Sequence, residues 1–289
     1  MPHHAGAIGS IGTLGALNPA NAARSYALAN VPYSGIWFRR GAATLALARL
    51  LHSYTTIMKK LLGAVLISFG FLSGAAVASP EAPVAGTDYL TISQQPLSAG
   101  AGKIEVTEFF WYGCPHCNAL EPSLEKWVKA QGKDVVFKRV PVAFQSRFEP
   151  HTRMFIALTA LGKEAELTPK VFNEIHVKHN YLLTKDTQAD FLAQFGIDKT
   201  AYSNAYDAAG KPAMARKETP VELANKMWQD YKIDGVPTIA IQGKYLVSPA
   251  TSGDALQKAG KPATTEQQTF DAALKTADSI INQIRAKKL

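Results

Sequence analysis

Residues 103–117 read Lys-Ile-Glu-Val-Thr-Glu-Phe-Phe-Trp-Tyr-Gly-Cys-Pro-His-Cys. The first nine are rich in β-branched and aromatic residues, a composition that predicts a buried strand. The strand leads directly into Cys114-Pro115-His116-Cys117, and proline is well suited to the first turn of a helix because its missing N–H is no loss there. Apolar residues then recur at helical spacing, at Leu120, Leu124, Trp127 and Val128. The stretch therefore predicts a strand followed by a helix whose first turn carries two cysteines.

These two cysteines are better suited to chemistry than to cross-linking. They are the only cysteines in the chain, and closing a loop of about four residues stabilises a protein by only ~2 kcal/mol in the chain-entropy estimate. At a helix start, free backbone N–H groups and the helix dipole favour a thiolate over a thiol. We expect Cys114 to be the exposed nucleophile and Cys117 the buried resolving thiol. His116 adds a donor that favours the thiolate.

The remaining pattern predicts an α/β fold built from two halves around a central sheet. Residues 134–140 are a second strand, which completes a right-handed βαβ unit within residues 103–145. Residues 146–232 carry only helical patterns and are interpreted as an all-helical insertion. Residues 233–289 contain a predicted hairpin and a final helix, a ββα half. Residues 79–102 are predicted to be an extended entry segment.

The N-terminal region explains both the net charge of +8 and the expected compartment. Residues 1–78 hold six of the 31 Lys and Arg residues and no Asp or Glu, which leaves 25 basic against 23 acidic residues, so no nucleic-acid partner is expected. Residues 58–78 have the charged start, apolar run and Ala-Val-Ala ending of a signal peptide, with cleavage predicted after Ala78. Residues 1–57 would then be an unstructured leader or an incorrectly assigned start. A membrane anchor or a transit peptide remains the alternative.

Two segments carry a resemblance to a known family. The sequence Glu-Phe-Phe-Trp-Tyr-Gly-Cys-Pro-His-Cys at residues 108–117 resembles the periplasmic DsbA family of thiol:disulfide oxidoreductases. Gly-Val-Pro-Thr at residues 235–238 resembles the second signature of that family. The resemblance extends over about residues 86–289. It implies a thioredoxin fold with an inserted helical domain.

The resemblance also implies roles for individual residues. It implies a redox-active disulfide between Cys114 and Cys117, tuned by Pro115 and His116. It implies a cis peptide bond between Val236 and Pro237, packed beside Cys114, where a substrate strand could pair with free backbone groups. No cofactor and no bound metal are implied.

Three charged residues are expected near the cysteines. Glu108 alternates with apolar residues on the first strand, and Lys138 does so on the neighbouring strand, so a buried Glu108–Lys138 pair near Cys117 could relay protons during exchange. Both positions, and Glu121 one helical turn beyond Cys117, resemble charged residues of the family. The alternative is an inter-strand ion pair without a redox role.

The resemblance implies a periplasmic monomer that donates its disulfide to reduced, unfolded exported polypeptides. A membrane oxidase of the DsbB type, linked to quinone, would regenerate the disulfide. A disulfide isomerase or a reductant of the same fold is the nearest alternative. Two further alternatives are a metal-binding module that combines the cysteines with His176 and His179, and a holdase without redox chemistry.

Overall fold

The computed structural model describes residues 79–212 and 215–289. The predictions for residues 1–57 and for the signal peptide at 58–78, with its cleavage after Ala78, lie outside the described residues. Within the two described ranges, no helix combines the length and the apolar character needed to cross a membrane.

A five-stranded mixed sheet lies at the centre, with the strand order β1-β5-β4-β2-β3. Strands β2 and β3 are parallel, and the other neighbouring strands pair antiparallel. All seven residues of β2 are buried, which fits its place in the interior of the sheet. The strand bounds are β1 Leu90–Thr91, β2 Ile104–Phe110, β3 Val135–Pro141, β4 Thr238–Ile241 and β5 Tyr245–Val247.

Eight α-helices accompany the sheet in the described part of the chain. The first crosses from β2 to β3, the next five follow one another without an intervening strand, and the last two follow β5. Their bounds are α1 Pro115–Ala130, α2 Glu149–Ala160, α3 Glu164–His176, α4 Lys185–Ala193, α5 Lys199–Ala209, α6 Pro220–Asp230, α7 Pro249–Lys258 and α8 Glu266–Arg285, with a short 3-10 turn at Ser146–Phe148 before α2. The βαβ half, the helical insertion and the hairpin with its final helix are thus all present.

Two features differ from the sequence-based expectation. Within the entry segment, Leu90 and Thr91 pair with β5 and form an edge strand of the sheet, which the sequence did not predict. Helix α7 was not predicted, since its sequence is dominated by small and polar residues. It begins at Ser248, whose hydroxyl accepts a hydrogen bond from the Thr251 N–H, and that cap satisfies one of the free donors of its first turn.

The buried residues place the cysteines at a junction between the sheet and the insertion. One apolar cluster lies between the sheet and helices α1 and α8. A second lies on the opposite face, around Phe109 and Tyr231. A third joins Phe110 and both cysteines to Phe155 and Phe172 of the insertion. The end of β2 and the first turn of α1 are therefore packed from both sides, which restricts their motion.

Candidate active site

Cys114 is the N-cap residue of α1 and Pro115 is the first residue of the helix. The Cys114 sulfur accepts a hydrogen bond from the backbone N–H of Cys117 across 3.4 Å. Cys114 is 6% exposed and Cys117 is fully buried. The order of exposure is the predicted one, but the expectation of an openly exposed nucleophile was wrong, because the helix start and the Val236 loop cover most of the Cys114 thiol.

The two thiols differ in acidity. Both are free in this structure, which is therefore the dithiol form. The hydrogen bond from the Cys117 side chain, helped by the backbone N–H groups of Cys117 and His116, outweighs burial and lowers the pKa of Cys114 to about 7. Burial, donation to Cys114 and the negative charges of Cys114 and Glu108 raise the pKa of Cys117 well above its ordinary value. Near neutral pH the thiolate therefore resides on Cys114.

His116 favours the Cys114 thiolate as expected, but its side chain is not the donor. Its imidazole is largely exposed, and Nδ1 pairs with the Glu266 carboxylate at the start of α8 rather than with a sulfur. Its backbone N–H and the charge of its protonated ring still favour the Cys114 thiolate. The expected donor is thus the main chain of His116, while the side chain links α1 to α8.

The Val236–Pro237 peptide bond is cis. The Cys114 thiol donates to the Val236 carbonyl oxygen across 3.4 Å, which places this loop directly against the nucleophile. The Thr238 hydroxyl donates to the Gly235 carbonyl at 2.8 Å and closes the turn behind it. The two segments that carry the family resemblance are therefore adjacent in space, although more than 100 positions separate them.

A cavity of about 350 Å³ opens beside this loop. It lies between His116, the cis-proline loop and the starts of α7 and α8. Its lining includes Val236, Pro237, Pro249, Gly253 and Phe270. The cavity adjoins the backbone next to Pro237, where the family resemblance implies that a substrate strand pairs.

The expected Glu108–Lys138 pair is not formed. Glu108 lies opposite Arg139 in the parallel register, and Arg139 Nε donates to Glu108 Oε2 across 2.7 Å. Lys138 Nζ instead pairs with Glu105 Oε1, also across 2.7 Å, on the other face of the sheet. The physical reason is that side chains alternate along a strand, so a pairing register displaced by one residue exchanges the two faces.

Arg139 is the centre of a buried charge cluster. Besides Glu108, it contacts Glu121 of α1 at 2.8 Å and Glu164 of α3 at 3.1 Å. The side chains of Arg139, Glu108 and Glu121 are all less than a tenth exposed. The sequence pattern did not predict Arg139 or Glu164 as site residues. The charged residue next to Lys138 was a visible signal for Arg139, but no local pattern joins Glu164 to it.

One guanidinium faces three carboxylates, so the cluster favours holding a proton. Burial raises the pKa of Glu108, and it raises the pKa of Glu121 to about 7 against the attraction of Arg139. Oε1 of Glu108 has no hydrogen-bond partner among the described residues. A guanidinium stays protonated in proteins, so any proton that this cluster releases must come from a carboxyl group.

The histidines of the alternative metal site, His176 and His179, are not arranged to bind one metal ion. His176 is the last residue of α3, and its Nε2–H donates to the Tyr112 carbonyl oxygen at 2.8 Å. His179 lies beyond the helix with a φ of 58°, so the two histidines do not share a helix face. Across residues 79–212 and 215–289, no group of three or more His, Cys, Asp and Glu side chains is arranged to hold a metal ion.

Comparisons with known proteins identify the family of this chain. The family model described as thioredoxin matches residues 99–260. The chain is 46% identical to the thiol:disulfide interchange protein DsbA of Burkholderia cepacia, over 80% of this chain and 100% of that protein. It is 34% identical to the protein of the same name from Pseudomonas aeruginosa, over 79% of this chain and 98% of that protein.

Solved structures give the same picture. The crystal structure of Pseudomonas aeruginosa DsbA matches with a TM-score of 0.59 at 35% identity, over 71% of this chain and 95% of that chain. The oxidoreductase DsbA from Xylella fastidiosa matches with a TM-score of 0.57 at 28% identity, over 71% and 98%. The thioredoxin fold with a helical insertion is thereby confirmed.

Proposed function

This chain belongs to the DsbA family of thiol:disulfide interchange proteins, and we propose that it oxidises pairs of thiols in reduced, unfolded exported polypeptides. It is a protein-disulfide oxidoreductase. The observation that carries the proposal is the asymmetry of the cysteine pair. Cys114 has a pKa of about 7 and keeps 6% of its surface exposed, whereas Cys117 is fully buried and keeps its proton.

The first step consumes the disulfide of the oxidised protein. A client thiolate attacks the Cys114 sulfur, a bond forms between the client and Cys114, and the bond from Cys114 to Cys117 breaks. The electron pair of that bond leaves on the Cys117 sulfur. Because a thiol of high pKa is a poor leaving group, this step is faster when Cys117 receives a proton as it departs.

The charge cluster is the proposed source of that proton. Glu108 is close enough for its charge to raise the pKa of Cys117, and Glu121 shares Arg139 with it. We assign Glu108 and Glu121 to proton transfer or tuning. Lys138 is removed from this role, since it pairs with Glu105 on the other face.

The second step releases the oxidised client. A second client thiolate attacks the client sulfur of the mixed disulfide, the client disulfide forms, and Cys114 leaves as a thiolate. Its lowered pKa makes it a good leaving group. In sum, the client loses two electrons and two protons. The protein gains both electrons, one proton enters on Cys117, and the other passes to solvent.

The cellular setting is part of the same proposal. The protein would act in the periplasm as a monomer after cleavage behind Ala78, with residues 79–102 as the entry segment. Residues 103–145 and 233–289 would be the two halves of the redox domain, and residues 146–232 the insertion. A quinone-linked membrane oxidase of the DsbB type would restore the disulfide. N-terminal sequencing of the exported protein tests the cleavage site.

A second candidate is supported by one observation. Nucleophilic cysteines of this class have pKa values from ~3.5 in strong oxidants to ~7 in reductants, and the value of about 7 for Cys114 lies at the reductant end. A reductant of the same fold would use the same residues in the reverse direction. The membership of the DsbA family favours the oxidant.

Equilibration with glutathione decides between them. Strong oxidants of this class have a potential of ~−120 mV and thioredoxin ~−270 mV, and each tenfold change in the equilibrium constant is ~30 mV. A potential above ~−180 mV supports the oxidant. A potential near ~−270 mV would replace it with the reductant.

A further inference from the structure

A second, smaller cavity lies on the insertion side of the nucleophile, and we call it the indole cavity. Its volume is about 200 Å³, the space of six or seven waters at ~30 Å³ each. That is room for one large side chain but not for a peptide segment. It is lined by Trp111, Gly113, Phe148, His151, Ile175, His176, Tyr181 and Leu183.

The indole of Trp111 forms a fixed wall of this cavity. It lies flat against Gly113, where a Cβ atom would come within 2.3 Å of the ring. Its Nε1–H donates to His151 Nδ1 at 2.9 Å. The ring of Phe148 packs on it with centroids 4.2 Å apart. A ring held by a backbone contact, a hydrogen bond and an aromatic neighbour is preorganised, so binding against it requires little ordering.

His151 is fixed in one neutral form. Since its Nδ1 accepts from the indole, which can only donate, its hydrogen is on Nε2 and is donated to the Tyr181 carbonyl oxygen at 2.8 Å. Burial lowers the pKa of His151 and so supports the neutral state. The His151 ring therefore adds no charge to the wall at neutral pH. None of the described lining residues is Lys, Arg, Asp or Glu.

The rim of the cavity is apolar and exposed. Tyr181 is 61% exposed and Leu183 is 42% exposed, beyond the end of α3. Large apolar side chains gain ~25 cal/mol for each Å² that they withdraw from water, so an apolar partner at this rim is favoured over a charged one.

The position of the indole cavity limits what can occupy it. Gly113 lines the cavity and directly precedes Cys114, so their Cα atoms are ~3.8 Å apart. In the mixed disulfide, the client cysteine is bonded to Cys114. An extended chain advances ~3.3 Å for each residue, so client residues one or two positions from that cysteine are within reach of Gly113. The larger cavity beside Pro237 shares no lining residue with the indole cavity.

We propose that the indole cavity is a specificity site that binds an aromatic or branched aliphatic side chain of the client, one or two residues from the cysteine under attack. The inference rests on the proposed function, because only the mixed disulfide brings the client to Gly113. Its consequence is that clients react faster when their cysteine has a large apolar neighbour. Such neighbours are buried in folded proteins, so the site would favour unfolded chains.

The test compares two synthetic dithiol peptides that differ only in the residues flanking the first cysteine, phenylalanine in one and serine in the other. Oxidised full-length mature protein is mixed with each, and the second-order rate constant is measured by acid quench and chromatography. The readout is the ratio of the two rate constants. We expect a ratio of about ten for the unaltered protein, which corresponds to ~1.4 kcal/mol.

Variants at the rim test whether the indole cavity causes the preference for phenylalanine over serine. The Leu183→Ser, Tyr181→Ser double variant removes the apolar rim and should lower the ratio to two or less. This double variant keeps the backbone carbonyl of residue 181, which accepts the hydrogen bond from His151. Val177→Ser is the matched control, because Val177 is 65% exposed on the same segment and does not line the cavity. It should keep the ratio of about ten. If the double variant does not fold, Leu183→Ser alone provides the same comparison.

Each outcome has one meaning. A ratio near one in the unaltered protein overturns the inference. A ratio that stays near ten in the rim variants overturns it as well, and assigns the preference to another surface such as the cavity beside Pro237. In both cases the reaction with peptides still supports the proposed function. Failure of the unaltered protein to oxidise either peptide or dithiothreitol would instead reject the proposed function.

Discussion

Arg139 and Glu164 join the central sheet to the helical insertion, through a contact of 3.1 Å between Nη1 of the arginine and Oε1 of the glutamate. The same guanidinium binds Glu108 and Glu121, so one side chain connects β2, β3, α1 and α3. The insertion is therefore linked electrostatically to the redox centre as well as packed against it. The carboxylates around Arg139 therefore support the site structurally.

Removal of the Arg139 guanidinium should lower the free energy of unfolding substantially. Arg139→Met leaves three carboxylates without a counter-charge, and breaking a buried ion pair in this way destabilises a protein by ~3–5 kcal/mol. Urea denaturation at pH 7 and at pH 5 measures the change in the free energy of unfolding. The loss should be smaller at pH 5, where the carboxyl groups can take up protons.

The control for this variant is Arg285→Met. Arg285 pairs with Asp134 at 2.7 Å, but both side chains are more than a third exposed. Exposed ion pairs contribute ~0–1 kcal/mol. Equal losses in the two variants would show that the buried cluster has no special importance.

Glu121 should make stability depend on pH. Its pKa is 4.5 in the ordinary state and about 7 in the fold, so between these pH values the folded protein binds more protons than the unfolded chain. The free energy of unfolding therefore falls as the pH rises from 4.5 to about 7. At ~1.4 kcal/mol for each pKa unit, the effect is at most about 3 kcal/mol.

Glu121→Gln should flatten this part of the profile. Denaturation of the reduced protein at several pH values between 4 and 8 provides the measurement. Glu125→Gln is the matched control, because Glu125 is on the same helix but pairs at its surface with Lys129. A slope that persists unchanged in Glu121→Gln would assign the titration to another group, with Glu108 the first to examine.

Cys114 should titrate as a thiolate near neutral pH. Absorbance of the reduced protein at the thiolate band should rise with a midpoint near pH 7, and Cys114→Ser should lose that transition. The folded pKa is below the ordinary value of 9.0, so the thiolate's stabilisation is complete above pH 9 and is lost as the pH falls to about 7. A midpoint near 9 would mean that the helix start does not activate this thiol.

Substitution of each cysteine should have a different effect on disulfide transfer. Cys114→Ser should abolish disulfide transfer to a reduced protein, because the accessible sulfur is gone. Cys117→Ser should accumulate mixed disulfides, formed when the Cys114 thiolate attacks a client disulfide, because Cys117 is no longer present to attack Cys114 and release the client. Non-reducing gel electrophoresis of exported proteins shows these adducts. Adducts in the Cys114 variant instead would reverse the assigned roles.

Local sequence was sufficient for most of the fold. The strand that ends in Cys114, the helix that begins at Pro115 and the hairpin after Pro237 were all predicted, because strand and helix periods and turn residues act over a few positions. The unequal exposure of the two cysteines followed in the same way from their places in the first turn of a helix. Helix α7 was missed because small and polar residues give no periodic signal.

The partners of the charged side chains depend on distant parts of the chain. The register of β3 against β2 places the guanidinium of Arg139 beside Glu108 and places Lys138 on the other face of the sheet. The packing of α3 brought Glu164 to the same guanidinium, and the start of α8 brought Glu266 to His116. A side chain's partner is set by how strands and helices pack, and a displacement of one residue changes it completely. Local sequence therefore predicted which thiols are the candidates for reaction, whereas tertiary packing decided which charged groups surround them and which cavities lie beside them.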